Sequence, residues 1–482
     1  MSTDFDVIVV GAGVVGPCIA TALARQGRKV LIVEREWEKP NRIVGELMQP
    51  SGLISLKRLG MIQAVNNIEA IHVNGYNISY FGRNVQIPYP EKSILKSLNT
   101  DPVPHAVFDS NDKLLTDSTI KLKDWDSSSR LKGVAFHHGD FLMNLRAICL
   151  AEPNITKLDG NVTSIYSDVD GTVRGIKVGE DIYTASLTIC CDGIYSKFRK
   201  TLSPTHTPTI GSYFIGLDLE DAKLPAPNNG HVILGDHAPI LIYQISPHHS
   251  RILCAYRSES LPKKTEVLKY LESKVLPSLP LETQESFKRA LTTTDRQIYK
   301  AMPNQYLTAR QNTIPGFVCI GDSLNMRHPL TGGGMTVGLH DAALLATLLA
   351  PIANESLNNP GEVLSVMSEF HQSRKSHDAV INTLSLALYT LFAADSPSLL
   401  LLQRGCFDYF MKGGNCVEGP IGLLSGTIPS FWTLAYHFFS VAFVSCAGRL
   451  RQGGIWAISD CIKALWVAAG VLLPILWGEV MG

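Results

Sequence analysis

The stretch Val7-Ile-Val-Val-Gly11-Ala-Gly13-Val-Val-Gly16-Pro-Cys-Ile-Ala-Thr-Ala-Leu-Ala-Arg25 decides how the chain begins to fold. Val7-Ile-Val-Val10 has the length and β-branched content of a buried parallel strand. It runs into a turn punctuated by glycines, and the apolar-periodic segment from Pro17 to Arg25 reads as a helix closed by Gly27. Val30-Leu-Ile-Val33 is the next strand, so the unit is βαβ. Gly11, Gly13 and Gly16 permit the tight turn and let backbone amides, with Val15 among them, approach a pyrophosphate at the positive helix end. Glu34 closes the second strand at the spacing of roughly 20 residues at which a carboxylate accepts hydrogen bonds from a ribose diol. Together these features predict dinucleotide binding.

Composition limits what else the chain can be. Its 482 residues suffice for several domains, and the 43 basic and 43 acidic residues cancel, so no overall field attracts nucleic acid. The 10 cysteines are scattered, with no C-x-x-C pair and no zinc-like spacing to histidine. Reduced, packed thiols and no metal site are expected. The N-terminus passes from Asp4 almost directly into a strand, which argues against a cleaved secretory signal.

Downstream, Asn74 to Ser129 changes to short extended pieces with Pro88, Pro90, Pro102 and Pro104, an excursion out of the nucleotide-binding sheet. Phe141 to Cys149 reads as helix, and Val162 to Ile189 as strands joined by turns at Asp170-Gly171 and near Gly179. Ser212 to Arg257 alternates like strands of a second domain, followed by a charged helical stretch from Lys263 to Leu291. Gly316-Phe-Val-Cys-Ile320 returns to a buried strand, and helices are predicted from Thr336 to Ala350 and from Glu362 to Ala394. Gly419 through Gly448 contains no Asp, Glu, Lys or Arg and is rich in aromatics; a second apolar stretch then runs to Gly478. Aromatics flanked by Arg449 and Arg451 suit a bilayer interface, so monotopic membrane attachment is expected, the alternative being a buried helical pair or a dimer contact. Removal of the chain after about Val417 is expected to leave the nucleotide site assembled.

Two further segments separate FAD from NAD. Cys191-Asp192-Gly193-Ile-Tyr-Ser196-Lys-Phe-Arg199 resembles the Asp-Gly motif of flavoprotein hydroxylases, and Ile320-Gly321-Asp322 resembles the aspartate-bearing segment that bonds the FAD ribityl chain. In this order, the three motifs resemble the architecture named after p-hydroxybenzoate hydroxylase. Gly45-Glu-Leu-Met-Gln-Pro50, Val73-Asn-Gly-Tyr76 and Asn325-Met-Arg-His-Pro-Leu-Thr-Gly-Gly-Gly-Met-Thr-Val337 look like squalene epoxidase of the fungal type, over essentially the whole chain.

The resemblance implies FAD contacts at Glu34, Arg35, Arg42, Arg146, Val162, Asp322, Gly334 and Met335, and a hydrogen-bonded Gln49–Tyr76 pair beside a substrate cavity. It implies an α/β fold: a Rossmann-type FAD-binding domain (1–73, 135–205, 301–375), an inserted β-sheet substrate domain (74–134, 206–300) and a C-terminal helical membrane-associated region (376–482). It further implies epoxidation of squalene with dioxygen for ergosterol synthesis and electrons from NADPH through a separate flavoprotein reductase. The implied place is the cytosolic face of the endoplasmic reticulum membrane, with lipid droplets as a second location. Two residues depart from the pattern: Ser51 stands where glycine is usual, and Asp140 where a basic residue is usual, which is expected to alter charge near Arg146. The cofactor carries the oxygen chemistry, so no side-chain nucleophile, acid or base is nominated, and His328 is read as structural. Gly332-Gly-Gly334 would let backbone approach the flavin ring. The competing readings are an aromatic hydroxylase or isoprenoid-lipid reductase of the same architecture, and a prenyl-lipid escort protein without turnover.

Overall fold

A computed structural model describes residues 4–105, 128–292 and 299–481. The expected excursion after Asn74 lies partly outside the described residues, at 106–127.

The first βαβ unit forms as its pattern requires. Strand Phe5–Val10 pairs in parallel with Val30–Glu34 on one side and with the second half of Asp181–Cys190 on the other. Ile155–Asp159 and Phe317–Cys319 extend the parallel set at its two ends, so all five strands point the same way. Asp181–Cys190 is long enough to serve two partners: its first residues pair antiparallel with Val173–Val178, which in turn pairs with Val162–Ser167. Helices Val15–Arg25 and Gly333–Leu349 cover this sheet, and the central strands are buried on both faces. That double burial explains why they read as unbroken apolar runs rather than as alternating ones.

A second sheet of seven strands runs in the order Lys300–Tyr306, Thr209–Glu220, His249–Tyr256, Ile240–Gln244, Gly230–Leu234, Gly75–Tyr80, Arg83–Pro88. Chain segments far apart in sequence meet here, with Tyr76 opposite Gly230 in the parallel pairing. Its two faces serve two cores. Phe214, Leu253 and Ala255 join Tyr76, Tyr243 and the C-terminal helices. Their neighbours Ile215, Leu217, Ile252 and Cys254 join Val267, Leu271 and Phe287 of the helical stretch after the sheet. The period of two thus sorts one strand between two interiors. Lys300–Tyr306 belongs to this sheet, so the sheet extends six residues beyond the expected break at 300.

Two expected helix starts move earlier. Gly333–Leu349 already includes Gly333 and Gly334, because Gly332 adopts the left-handed conformation (φ +64) that turns the chain into the helix. Pro360–Phe392 begins with proline at its first position, capped by the Asn359 side chain, which accepts from Gly361 N–H at 3.0 Å.

The C-terminal helices Phe431–Gly453 and Ile458–Met481 fold back on each other at Gly454 (φ +55). Arg449 and Asp460 pair across the fold at 2.8 Å, and Leu434 meets Leu472 in one apolar cluster. One face is packed inward through Ala464, Ala468 and Leu472, while Trp432, Trp456, Trp466 and Trp477 are 67–88% exposed. Near the end, Glu479 accepts from Tyr306 Oη and Asn382 Nδ2 at 2.9 and 3.1 Å. The hairpin is therefore partly core and partly open face: removal of the chain after Val417 would strip partners from half-buried Tyr306 and buried Asn382, which weighs against the expectation that the nucleotide site stays assembled without it.

Candidate functional site

The three motifs meet at the ends of the parallel strands. Gly11 (φ +100) and Gly16 are required by contact: a Cβ on Gly16 would lie 1.9 Å from Gly11 O, and one on Gly11 2.7 Å from Cys191 O. Glu34 pins the loop, its Oε2 accepting Ala12 N–H at 2.7 Å and its Oε1 the N–H of Arg35 at 3.0 Å. Arg146 arrives from the helix His138–Leu150 and donates through Nε to Ala12 O at 2.9 Å, with its guanidinium over the Trp37 ring at 5.3 Å. Arg35 and Arg42 are exposed beside this loop, and Val162 is buried at the start of its strand.

At the other end, Asp192 lies directly against Gly11, and its Oδ2 accepts Lys197 N–H at 3.0 Å. Val15 fills the notch between Gly321 and Gly338, where a Cβ would meet its Cγ2 at 3.1 and 2.6 Å respectively. The carboxylate of Asp322 has Arg327 at 3.9 Å, and Arg327 donates through Nη1 to Gly334 O at 3.2 Å. Arg199 staples the second motif to the third, donating through Nη2 to Gly193 O and Asp322 O at 3.2 and 3.0 Å. Neither Arg199 nor Arg327 was assigned a role from sequence. The signal for Arg199 was its place seven residues after Asp192, which became informative only once the strands were adjacent.

Gln49 and Tyr76 form the expected pair. Gln49 Nε2 donates to Tyr76 Oη at 2.7 Å and to Thr331 O at 2.6 Å, while its Oε1 accepts from Tyr89 Oη at 2.6 Å. Since a backbone carbonyl only accepts, the Thr331 contact fixes which way the amide points. Gln49 is fully buried, and Tyr76 belongs to the apolar interior between the second sheet and the C-terminal helices. Tyr89 was missed, being one aromatic in a proline-rich stretch. His328 stacks on Tyr389 at 3.8 Å; its Nδ1 accepts Leu330 N–H, which leaves the ring proton on Nε2 facing Ser212 Oγ at 3.1 Å. Burial lowers its pKa to about 3, so it stays neutral and structural.

The two departures are absorbed locally. Ser51 Oγ meets His377 Nε2 at 3.0 Å, and Asp140 pairs with Lys39 rather than with Arg146. His340, His377 and Asp378 converge, but Asp378 Oδ1 lies 3.1 and 2.7 Å from the two ring Nδ1 atoms and its Oδ2 lies 3.2 Å from Arg374, so hydrogen bonding and ion pairing account for the group.

These groups fit a flavin dinucleotide. Nothing lies within 4 Å of where side chains of Gly13 and Gly334 would stand, leaving open approaches at the starts of two helices whose first N–H groups are free to bind. Asp322, with its side chain 42% exposed, and Glu34 stand beside those approaches as acceptors.

Residues 184–463 match the family model for squalene epoxidase, and residues 6–41 match that for FAD dependent oxidoreductases, so the cofactor is FAD. Among solved structures, p-nitrophenol 4-monooxygenase PnpA of Pseudomonas putida (TM-score 0.63, 16% identity, 90% of this chain and 99% of that one) shares the fold. So does the flavin-dependent brominase Bmp2 (TM-score 0.65, 14% identity, 93% and 99%). The squalene epoxidase of Candida albicans is 52% identical across 100% of this chain and 99% of its own, and that of Saccharomyces cerevisiae 49% across 99% and 96%. Squalene epoxidase 3 of Arabidopsis thaliana is 35% identical across 99% of this chain and 85% of its own. With full-length identity at that level on a fold that unites the three flavin motifs, the chain belongs to the squalene epoxidase family of FAD-dependent monooxygenases.

Proposed function

We propose that this enzyme transfers one oxygen atom of dioxygen to a terminal double bond of squalene, giving (S)-2,3-epoxysqualene for ergosterol synthesis. The second oxygen atom leaves as water, with electrons drawn from NADPH through a separate flavoprotein reductase. One observation carries the assignment of the site: the Gln49 amide bonds Tyr76 on the apolar side and Thr331 beside the glycine loop, so one residue ties the apolar interior to the loop that would approach the flavin.

FAD supplies the oxygen activation. Glu34, Arg35, Arg42, Arg146 and Val162 would hold its adenosine end, Asp192 and Asp322 the middle, and Gly334 and Met335 the ring. The chain's own residues position and exclude water. A hydrocarbon entering the interior that includes Tyr76, Leu234, Tyr243 and Phe407 would meet apolar side chains. Arg327 places a buried guanidinium beside Gly334 O, where negative charge on a reduced ring would be favoured. No side chain is asked to move a proton.

The FAD-binding domain is assigned to 1–73, 135–205 and the chain from 307 to 375, the substrate domain to 74–134 and 206–306, and the helical region to 376–482. The stretch Phe431–Met481 is long and apolar enough to cross a membrane, but its fold-back and outward tryptophans favour lying in the interface on the cytosolic face of the endoplasmic reticulum or on lipid droplets. The test is incubation of the purified FAD-loaded protein with squalene, NADPH, a reductase and isotopically labelled dioxygen. One labelled oxygen in an epoxide is expected; a hydrogenated or hydroxylated product would refute the proposal.

A further inference from the structure

Glu479 lies near the end of the helix Ile458–Met481, more than 150 residues after Asp322, yet is only 5% exposed. Tyr306 Oη and Asn382 Nδ2 donate to its two carboxylate oxygens at 2.9 and 3.1 Å. The same Asn382 nitrogen donates to Asn325 Oδ1 at 2.7 Å, which also accepts from Arg374 Nη2 at 3.3 Å. Arg374 grips Asp341 at 2.8 and 3.1 Å, and Asp341 Oδ2 accepts Gly321 N–H at 3.3 Å. Asn325 closes the circuit through its own backbone, its N–H donating to Gly321 O at 2.9 Å. Asn325, Asp341 and Asn382 are wholly buried.

A plug made only for packing would be apolar, since a buried carboxylate and two buried amides are costly unless every bond is made. Here the bonds run from the C-terminal hairpin to Gly321, the residue before Asp322, and the one acceptor of this relay left without a partner among the described residues, Asn382 Oδ1, adds to that cost. Asn382 spends both amide hydrogens on the relay, so its orientation is set by Glu479 at one side and read by Asn325 at the other.

We infer that Glu479 is a positioning residue for the flavin: by fixing Asn382, and through it Asn325, it sets the Gly321-Asp322 loop, and the C-terminal hairpin is thereby part of the FAD site. The inference rests on reading Asp322 as a FAD ligand.

The test compares FAD dissociation constants of the full chain in detergent, measured from flavin fluorescence on release, for Glu479→Ala, Glu479→Gln, Asn382→Leu and Asp322→Ala. Glu479→Ala and Asn382→Leu should each raise the constant about tenfold, and the double variant no more than either alone, as for members of one network. Glu479→Gln should stay within about twofold of wild type, because a Gln oxygen accepts from Asn382 while its nitrogen donates to Tyr306. Wild-type constants in Glu479→Ala and Asn382→Leu alongside a raised constant in Asp322→Ala would overturn the inference alone. No effect in Asp322→Ala would overturn the loop assignment beneath it. Independent, multiplying effects in the double variant would also overturn the relay. Should Glu479→Ala not fold, Asn382→Leu, which leaves the Tyr306 contact in place, decides the question by the same constant.

Discussion

Replacing Tyr76 by Phe removes one oxygen atom from a buried node and leaves the ring in place. In the wild type the Gln49 amide nitrogen divides its hydrogens between Tyr76 Oη and Thr331 O, at 2.7 and 2.6 Å. Gln49 is fully buried and Tyr76 is 7% exposed, so no bulk water replaces the lost acceptor. An orphaned buried donor costs about 1–3 kcal/mol, and Gln49 can relieve that cost only by tilting, which drags Thr331 and the adjacent glycine loop. Since 1.4 kcal/mol is a factor of about ten in rate, kcat/KM for squalene should fall about tenfold or somewhat more. FAD content should not change, because these bonds do not touch Glu34 or Asp322. Burial pushes the Tyr76 hydroxyl up to about 12, so it remains protonated at neutral pH and is no candidate base. The assay is steady-state epoxidation with squalene in detergent, together with the ratio of flavin to protein absorbance after gel filtration. Wild-type kinetics would refute the positioning argument. Abolished turnover with normal squalene binding would assign the hydroxyl a chemical role that the geometry does not.

Glu46 and Arg251 form a buried bidentate pair, at 2.6 and 3.0 Å, between the Gly45–Pro50 segment and the second sheet. Glu46→Ala should destabilise the protein by about 3–5 kcal/mol in denaturant titration, because Arg251 is left charged and unpaired; a loss below about 1 kcal/mol would contradict this. Trp456→Ser and Trp466→Ser together should weaken liposome flotation at least about tenfold while FAD stays bound, since both rings face outward; undiminished flotation would remove the hairpin from the docking surface. Glu479 provides a pH signature. Burial raises its carboxyl to about 7, so the folded state keeps a proton that the unfolded chain releases above its ordinary value of 4.5. Its contribution to stability is present at low pH and is lost as pH rises through about 7. Melting of Glu479→Gln should therefore match wild type near pH 5 and gain on it by pH 8, whereas a constant difference would place the ionisation elsewhere.

The local signals were legible because they are short-range. The glycine triplet with Glu34 at the end of the second strand foretold a tight turn at a nucleotide site, whereas the bond from Ala12 N–H to Glu34, 22 residues on, is visible only in the structure. The helix starts were less legible: Gly333 and Gly334 have poor helix propensity, and only the left-handed Gly332 before them shows that the helix begins there. Residues 301–306 fall outside the expected substrate domain because an edge strand containing Pro303 carries a weak strand signal, and the pairing of Lys300–Tyr306 with Thr209–Glu220 is a long-range event.

By itself the sequence determined the βαβ start, the order of the flavin motifs, the family resemblance and the aromatic, charge-poor C-terminus, since each is written in neighbouring residues or in long matching strings. Tertiary structure alone decided that Arg199 joins Gly193 to Asp322, that Tyr89 completes the Gln49 node, and that Glu479 reaches Asn382. The physical reason is that a buried polar group is satisfied by whichever partner folding brings to it, and chain separation carries no record of that choice.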